Sequence, residues 1–235
     1  MFRIGRTLPF ALALAALSMF AASCGSSNSK LRLVHAVPDG GAIDVLIDGK
    51  NVAPGLSFDT ATSYLSVASG SRHVQVFATG TTTNAFFDGT VSLSGGTTYT
   101  DVATGFAHDS TVAAPLFTDN NTAPTSGNIE IRVIHASPTW NTFFGGLDVY
   151  VVAPGTSIAG VSPTISNLTY KSASTYISVA AGQYEIVMTP VGQKSNDIDI
   201  QPSDLDTAGR IRTFVVVDNA GGGISGSPLE LSDLN

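Results

Sequence analysis

Charge is scarce in this sequence of 235 residues, where Asp, Glu, Lys and Arg together make up only 12%, against roughly 25% in an ordinary soluble domain. Disorder is excluded by the same composition, because a disordered chain is rich in charge and poor in large apolar residues, whereas 43% of this one is hydrophobic. Positive charge is scarcer still: 11 Lys and Arg stand against 18 Asp and Glu, a net charge of −7. No basic surface is available to neutralise phosphates, which argues against nucleic acid as a partner. Cysteine occurs once, as Cys24, so no disulfide can form within the chain and the fold must rest on core packing. Catalytic signatures are missing too. There is no Gly-x-Ser-x-Gly elbow to expose a nucleophile. Gly221-Gly222-Gly223-Ile224-Ser225-Gly226 formally satisfies G-x-G-x-x-G, but Pro228 and a short strand follow where a helix would have to begin, so it reads as a flexible turn.

The one long apolar run, Leu8 to Ala22, follows Arg3 and Arg6 and is too short for a comfortable membrane span, which is the layout of a secretory signal. It ends in Ala21-Ala22-Ser23-Cys24, which resembles the lipobox of bacterial lipoproteins, in which the cysteine is lipidated and becomes the first residue of the mature chain. Cys24 is followed by the linker-like Gly25-Ser26-Ser27-Asn28-Ser29. Two or three acyl chains there would anchor the protein stably, at about 0.8 kcal/mol per buried CH₂. Removing residues 1–23 takes away Arg3 and Arg6 but no acid, and the net charge moves from −7 to −9. The resemblance implies an extracytoplasmic protein held by lipid on the outer or cytoplasmic membrane, periplasmic or on the cell surface.

The mature part contains an internal repeat. Arg32-Leu33-Val34-His35-Ala36-Val37-Pro38 recurs as Arg132-Val133-Ile134-His135-Ala136-Ser137-Pro138, and Ile43-Asp44-Val45 as Leu147-Asp148-Val149. Ser63-Tyr64-Leu65-Ser66-Val67-Ala68-Ser69-Gly70 recurs as Thr175-Tyr176-Ile177-Ser178-Val179-Ala180-Ala181-Gly182, and His73-Val74-Gln75-Val76 answers to Tyr184-Glu185-Ile186-Val187. The offset grows from 100 to 104 to 112, so the second copy has gained residues in loops, where insertions are tolerated. Runs in each copy are short, β-branched and punctuated by turn residues, with Asp48-Gly49 a strong hairpin signal. Strands are expected at 31–36, 64–67, 73–79, 86–93 and 98–104 with a matching set in the second copy, and no capped helix stands out. This pattern predicts an all-β chain of two tandem immunoglobulin-like, Greek-key β-sandwich domains. The polar stretch from Asp119 to Gly127 marks their boundary. The expected division is a signal peptide at 1–23, a lipidated N-terminus and linker at 24–30, domain 1 at 31–119, a linker at 120–127 and domain 2 at 128–235.

The strand Arg-x-x-His-Ala-x-Pro, the following Asp-Val-hydrophobic strand with its Asp-Gly, and the Tyr-hydrophobic-x-Val-x-x-Gly segment resemble the secreted bacterial family called domain of unknown function 4397, twice over. The first copy carries Arg32, His35, Pro38, Asp44, Asp48, Gly49, Tyr64, Val67 and Gly70 of that pattern, and the second Arg132, His135, Pro138, Asp148, Tyr176, Val179 and Gly182. The second copy departs from it where Val151-Val152-Ala153-Pro154-Gly155 replaces the Asp-Gly hairpin. The resemblance implies an extracytoplasmic β-domain, often tandem, and brings no catalytic residues with it.

Of four histidines, only His35 and His135 recur. One per copy falls short of a zinc site, and alternation puts both on the face of core residues. Each is followed by a glycine-containing turn and an aspartate, so His35 with Asp44 and His135 with Asp148 are expected structural pairs, the imidazole donating to the carboxylate or to the backbone of the turn. Asp197, Asp199, Asp204 and Asp206 form an acidic loop that offers oxygens to Ca²⁺ without the spacing of an EF-hand, or is simply solvated. Trp140, Phe143 and Phe144 lie in a loop longer than its counterpart, where they either contact a ligand or cap the end of the sandwich. No cofactor and no enzymatic activity are expected. The chain reads as a lipid-anchored bacterial envelope protein with a non-catalytic binding or adhesion role toward a glycan or envelope protein. A structural spacer and, after it, an envelope hydrolase acting through His35 or His135 are the alternatives.

Overall fold

A computed structural model describes residues 27–195, 198–200 and 205–233. The first sandwich is built from β1 (Ser29–Ala36), β2 (Ile43–Ile47), β3 (Lys50–Leu56), β4 (Thr60–Ala61), β5 (Leu65–Val67), β6 (Gly70–Ala78), β7 (Phe87–Leu93), β8 (Thr98–Thr104) and β9 (Leu116–Thr118). The second contains β10 (Asn128–His135), α1 (Pro138–Phe144), β11 (Leu147–Val152), β12 (Ile165–Leu168), β13 (Ile177–Ala180), β14 (Glu185–Pro190), β15 (Ile198–Ile200), β16 (Ile211–Val216) and β17 (Leu229–Ser232). One sheet of the first sandwich runs β4-β1-β8-β9, with β5 also on β1, and faces the sheet β3-β2-β6-β7; the second repeats this order as β13-β10-β16-β17 and β12-β11-β14-β15. The chain is thus two all-β sandwiches. In each, the first strand pairs in parallel with a late one, β1 with β8 and β10 with β16. A parallel pair needs a long crossover, which here is the passage of the chain through the opposite sheet.

Local chemistry explains the turns. Asp48 and Gly49 have φ of 50° and 77°, the doubly left-handed geometry of a type I′ hairpin, whose right-handed twist matches that of the flanking strands. The second sandwich lacks this dipeptide and joins β11 to β12 by a longer loop containing a 3₁₀ turn at Ile158–Gly160. The sequence comparison needs one correction. Pairing places Val45 opposite Val76 and Val149 opposite Met188, so Val76 corresponds to Met188 and not to Val187. A one-residue slip would turn every side chain of the strand to the wrong face, and it is Ile186 and Met188 that join the core of the second sandwich, as Val74 and Val76 join that of the first, whereas Val187 is buried in a separate cluster with Tyr150. A second correction concerns α1, seven residues long, in a stretch expected to be a loop. Ser137 caps it by accepting from the Trp140 N–H, and Pro138 sits at its first turn, where the missing N–H costs nothing.

Each sandwich closes its own core. Leu31, Leu33, Val45, Val74, Val76 and Val91 fill the first, and Ile131, Val133, Trp140, Val149, Ile186 and Phe214 are among those that fill the second. The equivalent positions differ at one point: Asp101 faces Leu33 across β1/β8 where Phe214 faces Val133 across β10/β16. A third cluster belongs to neither interior. It joins Val34, Ala36 and Val102 of the first sandwich to Ile134, Ala136, Val215, Val217 and Leu231 of the second, so β1 and β10 are buried on both faces and the sheets that contain them pack against each other.

Candidate functional site: a charged seam flanked by two grooves

Arg32 lies in the middle of β1 and Arg132 in the middle of β10, each on the face turned away from its own core and each nearly fully buried. A guanidinium removed from water requires both a counter-charge and hydrogen-bond acceptors. Each finds them in the other sandwich. Arg32 Nη2 donates to Asp233 at 2.6 Å and Arg132 Nη2 to Asp119 at 2.7 Å, and the Nη1 groups reach the carbonyls of Ser232 and Thr118 at 2.9 and 3.2 Å. Threonines complete the arrangement. Arg32 Nε donates to Thr100 and Arg132 Nε to Thr213, while those hydroxyls donate to Asp119 and Asp233, both at 2.7 Å.

The repeated tyrosines close it from outside. Tyr64 donates to Asp119 at 2.7 Å and Tyr176 to Asp233 at 2.9 Å, with the guanidinium carbons 4.8 and 4.7 Å from the ring centres. Burial, together with the carboxylates they touch, pushes both phenols well above the usual tyrosine range, so both hydroxyls stay protonated and donate. Burial also works against the charge of Arg132, but Asp119 and Asp233 outweigh it and hold the guanidinium above its ordinary value. Two arginines and two aspartates, related by a pseudo-twofold axis, neutralise one another. Arg132 also lies 3.7 Å from Asp233, which joins the two halves.

An open groove runs along each side of this seam. One, of about 580 Å³, lies between Asp59–Tyr64 and Leu229–Asp233. The other, of about 540 Å³, lies between Ala173–Tyr176 and Leu116–Asn120. These segments correspond under the pseudo-twofold axis, so the grooves occupy equivalent places, the first with Lys30, Asp59 and Glu230 added to its walls. Sequence reasoning registered Arg32, Tyr64, Arg132 and Tyr176 as pattern residues but not Asp119 and Asp233. The shared ending, Phe117-Thr118-Asp119 and Leu231-Ser232-Asp233, was the available signal.

The residues expected to carry a site lie elsewhere. His35 and His135 are fully buried, and of the two acceptors expected for each the backbone of the turn takes the bond, so the pairing with Asp44 and Asp148 is corrected. His35 Nε2 donates to Gly41 O at 2.7 Å while its Nδ1 accepts from the Val37 N–H, and His135 Nε2 meets Gly145 O at 3.2 Å. Asp44 accepts instead from the N–H groups of Gly55 and Gly80, and Asp148 from those of Asn167 and Gly192. Each aspartate sits at a register shift in its strand and ties down the loops that flank it. Burial lowers both imidazole pKa values, that of His135 to about 4, leaving the rings neutral.

Trp140 is buried, its indole N–H 3.3 Å from Gly146 O, and its ring meets Phe144 edge-on. It caps the core and offers nothing to a ligand, whereas Phe143 on the same helix is 71% exposed. Asp199 and Asp206 are exposed, Asp206 accepting from Thr207 at 3.2 Å. Asp197, Asp204 and Cys24 lie outside the described residues. Among the described residues no three His, Cys, Asp or Glu side chains gather as a metal site, and no helix is long and apolar enough to cross a membrane.

Residues 29–143 match the family model DUF4397, described as a domain of unknown function. The match covers the first sandwich and the opening of the second, β10 and most of α1, and supports the family resemblance carried by the Arg-x-x-His strand. No curated protein matches the chain significantly. Similar solved structures include a family 26 carbohydrate-binding module of Eubacterium rectale in complex with maltoheptaose, at 11% identity and a TM-score of 0.29, with 88% of this chain and 98% of that one covered. Family 41 carbohydrate-binding modules from streptococcal virulence factors, which recognise α-glucan, align at 12% identity and a TM-score of 0.25 over 82% and 94%. A candidate cell adhesion protein of Bacteroides fragilis aligns at 10% identity and a TM-score of 0.21 over 89% and 98%. Scores this low carry no functional information about this chain.

Proposed function

We propose that this chain is a non-catalytic binding protein of the bacterial envelope, anchored through lipid on Cys24, and that ligand is held in the grooves along the seam. The observation that carries this reading is the pair of equivalent open grooves, each within the roughly 300–1,000 Å³ of ordinary ligand sites and each floored by an Arg–Asp–Tyr network that leaves no buried charge unpaired. The histidines that a hydrolase would need point into backbone carbonyls. Ser63 and Thr175 are exposed and equivalent at the groove walls, so Ser63→Trp and Thr175→Trp obstruct the grooves without touching the network. Purified residues 27–235 are expected to bind isolated envelope fractions, and the double variant to lose that binding. Binding left intact in the double variant overturns the assignment of the grooves. Release of Cys24→Ser protein from membranes tests the anchor, and a wild-type protein recovered soluble with a free thiol refutes it.

A second reading, a rigid spacer, is favoured by the seam itself, whose ion pairs fix one sandwich against the other. It predicts that obstructing the grooves changes nothing while loosening the seam does.

A further inference from the structure

The groove between Ala173–Tyr176 and Leu116–Asn120 holds Asp119 and Arg132 as its only charged residues, and they are bonded to each other. Its surface therefore offers no net charge to a ligand. What remains is of two kinds. Thr118 and Thr175 supply neutral hydroxyl groups, beside Ser174 and Asn120 whose side chains are bonded to Val133, Thr175, Glu130 and Thr122, and Phe117 and Tyr176 supply aromatic carbon. Tyr176 is only half-buried. Its hydroxyl is committed to Asp233 and one face of its ring to the Arg132 guanidinium, so the ring is held rigidly in the groove wall. The other groove repeats the aromatic part of the plan, with Tyr64 backed by Arg32 beside Thr60, Thr62 and Ser63, and adds Lys30, Asp59 and Glu230 to its walls.

A fixed aromatic face ringed by uncharged hydrogen-bonding groups, in an open trough, matches the chemistry of a pyranose: apolar C–H faces, equatorial hydroxyls and no charge. An acidic ligand would find no cation free to pair with it in the groove beside Tyr176. An extended peptide would find no apolar pockets at alternate positions, which specificity in strand addition requires. We propose that the groove beside Tyr176 is a subsite for neutral oligosaccharide, seating one sugar ring against Tyr176, and that the groove beside Tyr64 seats a second ring of the same ligand class between its charged walls. This rests on the reading of the grooves as the binding site and adds the class of ligand.

The test is isothermal titration of residues 27–235 with neutral hexose and N-acetylhexosamine oligosaccharides, beside an oligogalacturonate and an uncharged extended peptide. Two sites per chain are expected with at least one of the neutral sugars. Ser63→Trp and Thr175→Trp should each remove one of them and together both. Tyr176→Phe keeps the ring but loses the hydroxyl bond that fixes it, and should weaken the second site less than Tyr176→Leu does. Tyr176→Leu should weaken that site about three- to ten-fold, with melting curves establishing that the variant is folded. Tighter binding of the galacturonate or the peptide than of any neutral sugar overturns the proposal, as does sugar binding that survives both tryptophan variants. If no neutral sugar binds while the tryptophan variants still abolish binding to envelope fractions, the ligand class falls and the grooves stand.

Discussion

Asp101 gives the sharpest test of the packing argument. It lies in β8 at 3% exposure, both its oxygens lack a hydrogen-bond partner, and the neighbouring Val102 N–H is committed to Pro115 O at 3.2 Å. Leu33, Val45, Val74 and Val76 surround it in a small internal cavity. Burial pushes its carboxyl from 3.8 up to about 8, so the folded protein holds it neutral at pH 7 while the unfolded chain ionises it. The Asp101 contribution to stability is therefore complete only below about pH 3.8, where both states are protonated. It falls by about 1.4 kcal/mol for each pH unit as the unfolded state alone loses its proton, levelling off near the folded value. At pH 7 the loss amounts to about 4 kcal/mol, a large share of the roughly 5–15 kcal/mol that ordinary domains possess.

Asp101→Asn keeps the shape and removes the titration, and Asp101→Leu also supplies the apolar contact that Phe214 makes in the second sandwich. Urea unfolding between pH 4 and pH 9 should give Asp101→Leu a stability advantage over wild type that widens by about 4 kcal/mol from pH 4 to pH 7, or about 10 °C in melting temperature at neutral pH. The Asp101→Asn curve should lack the same slope. Wild-type and Asp101→Asn stabilities that run parallel across this range would refute the reasoning.

Arg132→Ala strands Asp119 in the seam and is expected to cost about 3–5 kcal/mol, seen in calorimetry as one cooperative transition dividing into two. His135, held near 4 by burial, stays neutral in the folded state while the unfolded chain takes up a proton below about 6.5. Stability should therefore fall between those values as pH drops, and His135→Ala should lose that dependence in urea titrations. Trp140→Ala should cost about 3–5 kcal/mol as a core truncation, whereas Phe143→Ala on the same helix should stay within about 0.5 kcal/mol in the same denaturation assay.

The sandwich architecture was legible because its signals are local. Strands at 86–93 and 98–104 follow from alternation and turn residues, and Asp48-Gly49 fixes a hairpin through backbone sterics alone. The helix was missed because Ser137-Pro138 opens a turn and a helix alike, and only the burial of Trp140 decides between them. The slipped register of β14 was missed because Tyr184-Glu185-Ile186-Val187 alternates acceptably in either frame until Met188 is known to face the core. The histidine and aspartate that recur in each copy do serve the turn, the histidine through one of its two expected partners, the turn backbone, and the aspartate through loop N–H groups that no side-chain pattern encodes. The seam was hardest to see, since it depends on partners 201 residues apart, Arg32 and Asp233.

One trace of the seam is nevertheless present in β1. A strand with one face in water alternates, whereas Leu31-Arg32-Leu33-Val34-His35-Ala36 is buried at every position and carries the near-continuous apolar character of a strand covered on both sides. Leu31 and Leu33 enter the core of the first sandwich, so Val34 and Ala36 need a second surface to cover them. The sandwich interior can cover only one face, and the other must meet a separate body. An arginine in such a strand sharpens the requirement, because its counter-charge has to come from the covering body, and the only sequence offering the reciprocal arrangement of Arg, Tyr and Asp is the other copy. Arg-x-x-His is thus a docking strand: the histidine pins the turn at its end and the arginine clasps the neighbouring repeat. The grooves exist only where the two copies meet, so a ligand held there is bound by the pair and by neither sandwich alone.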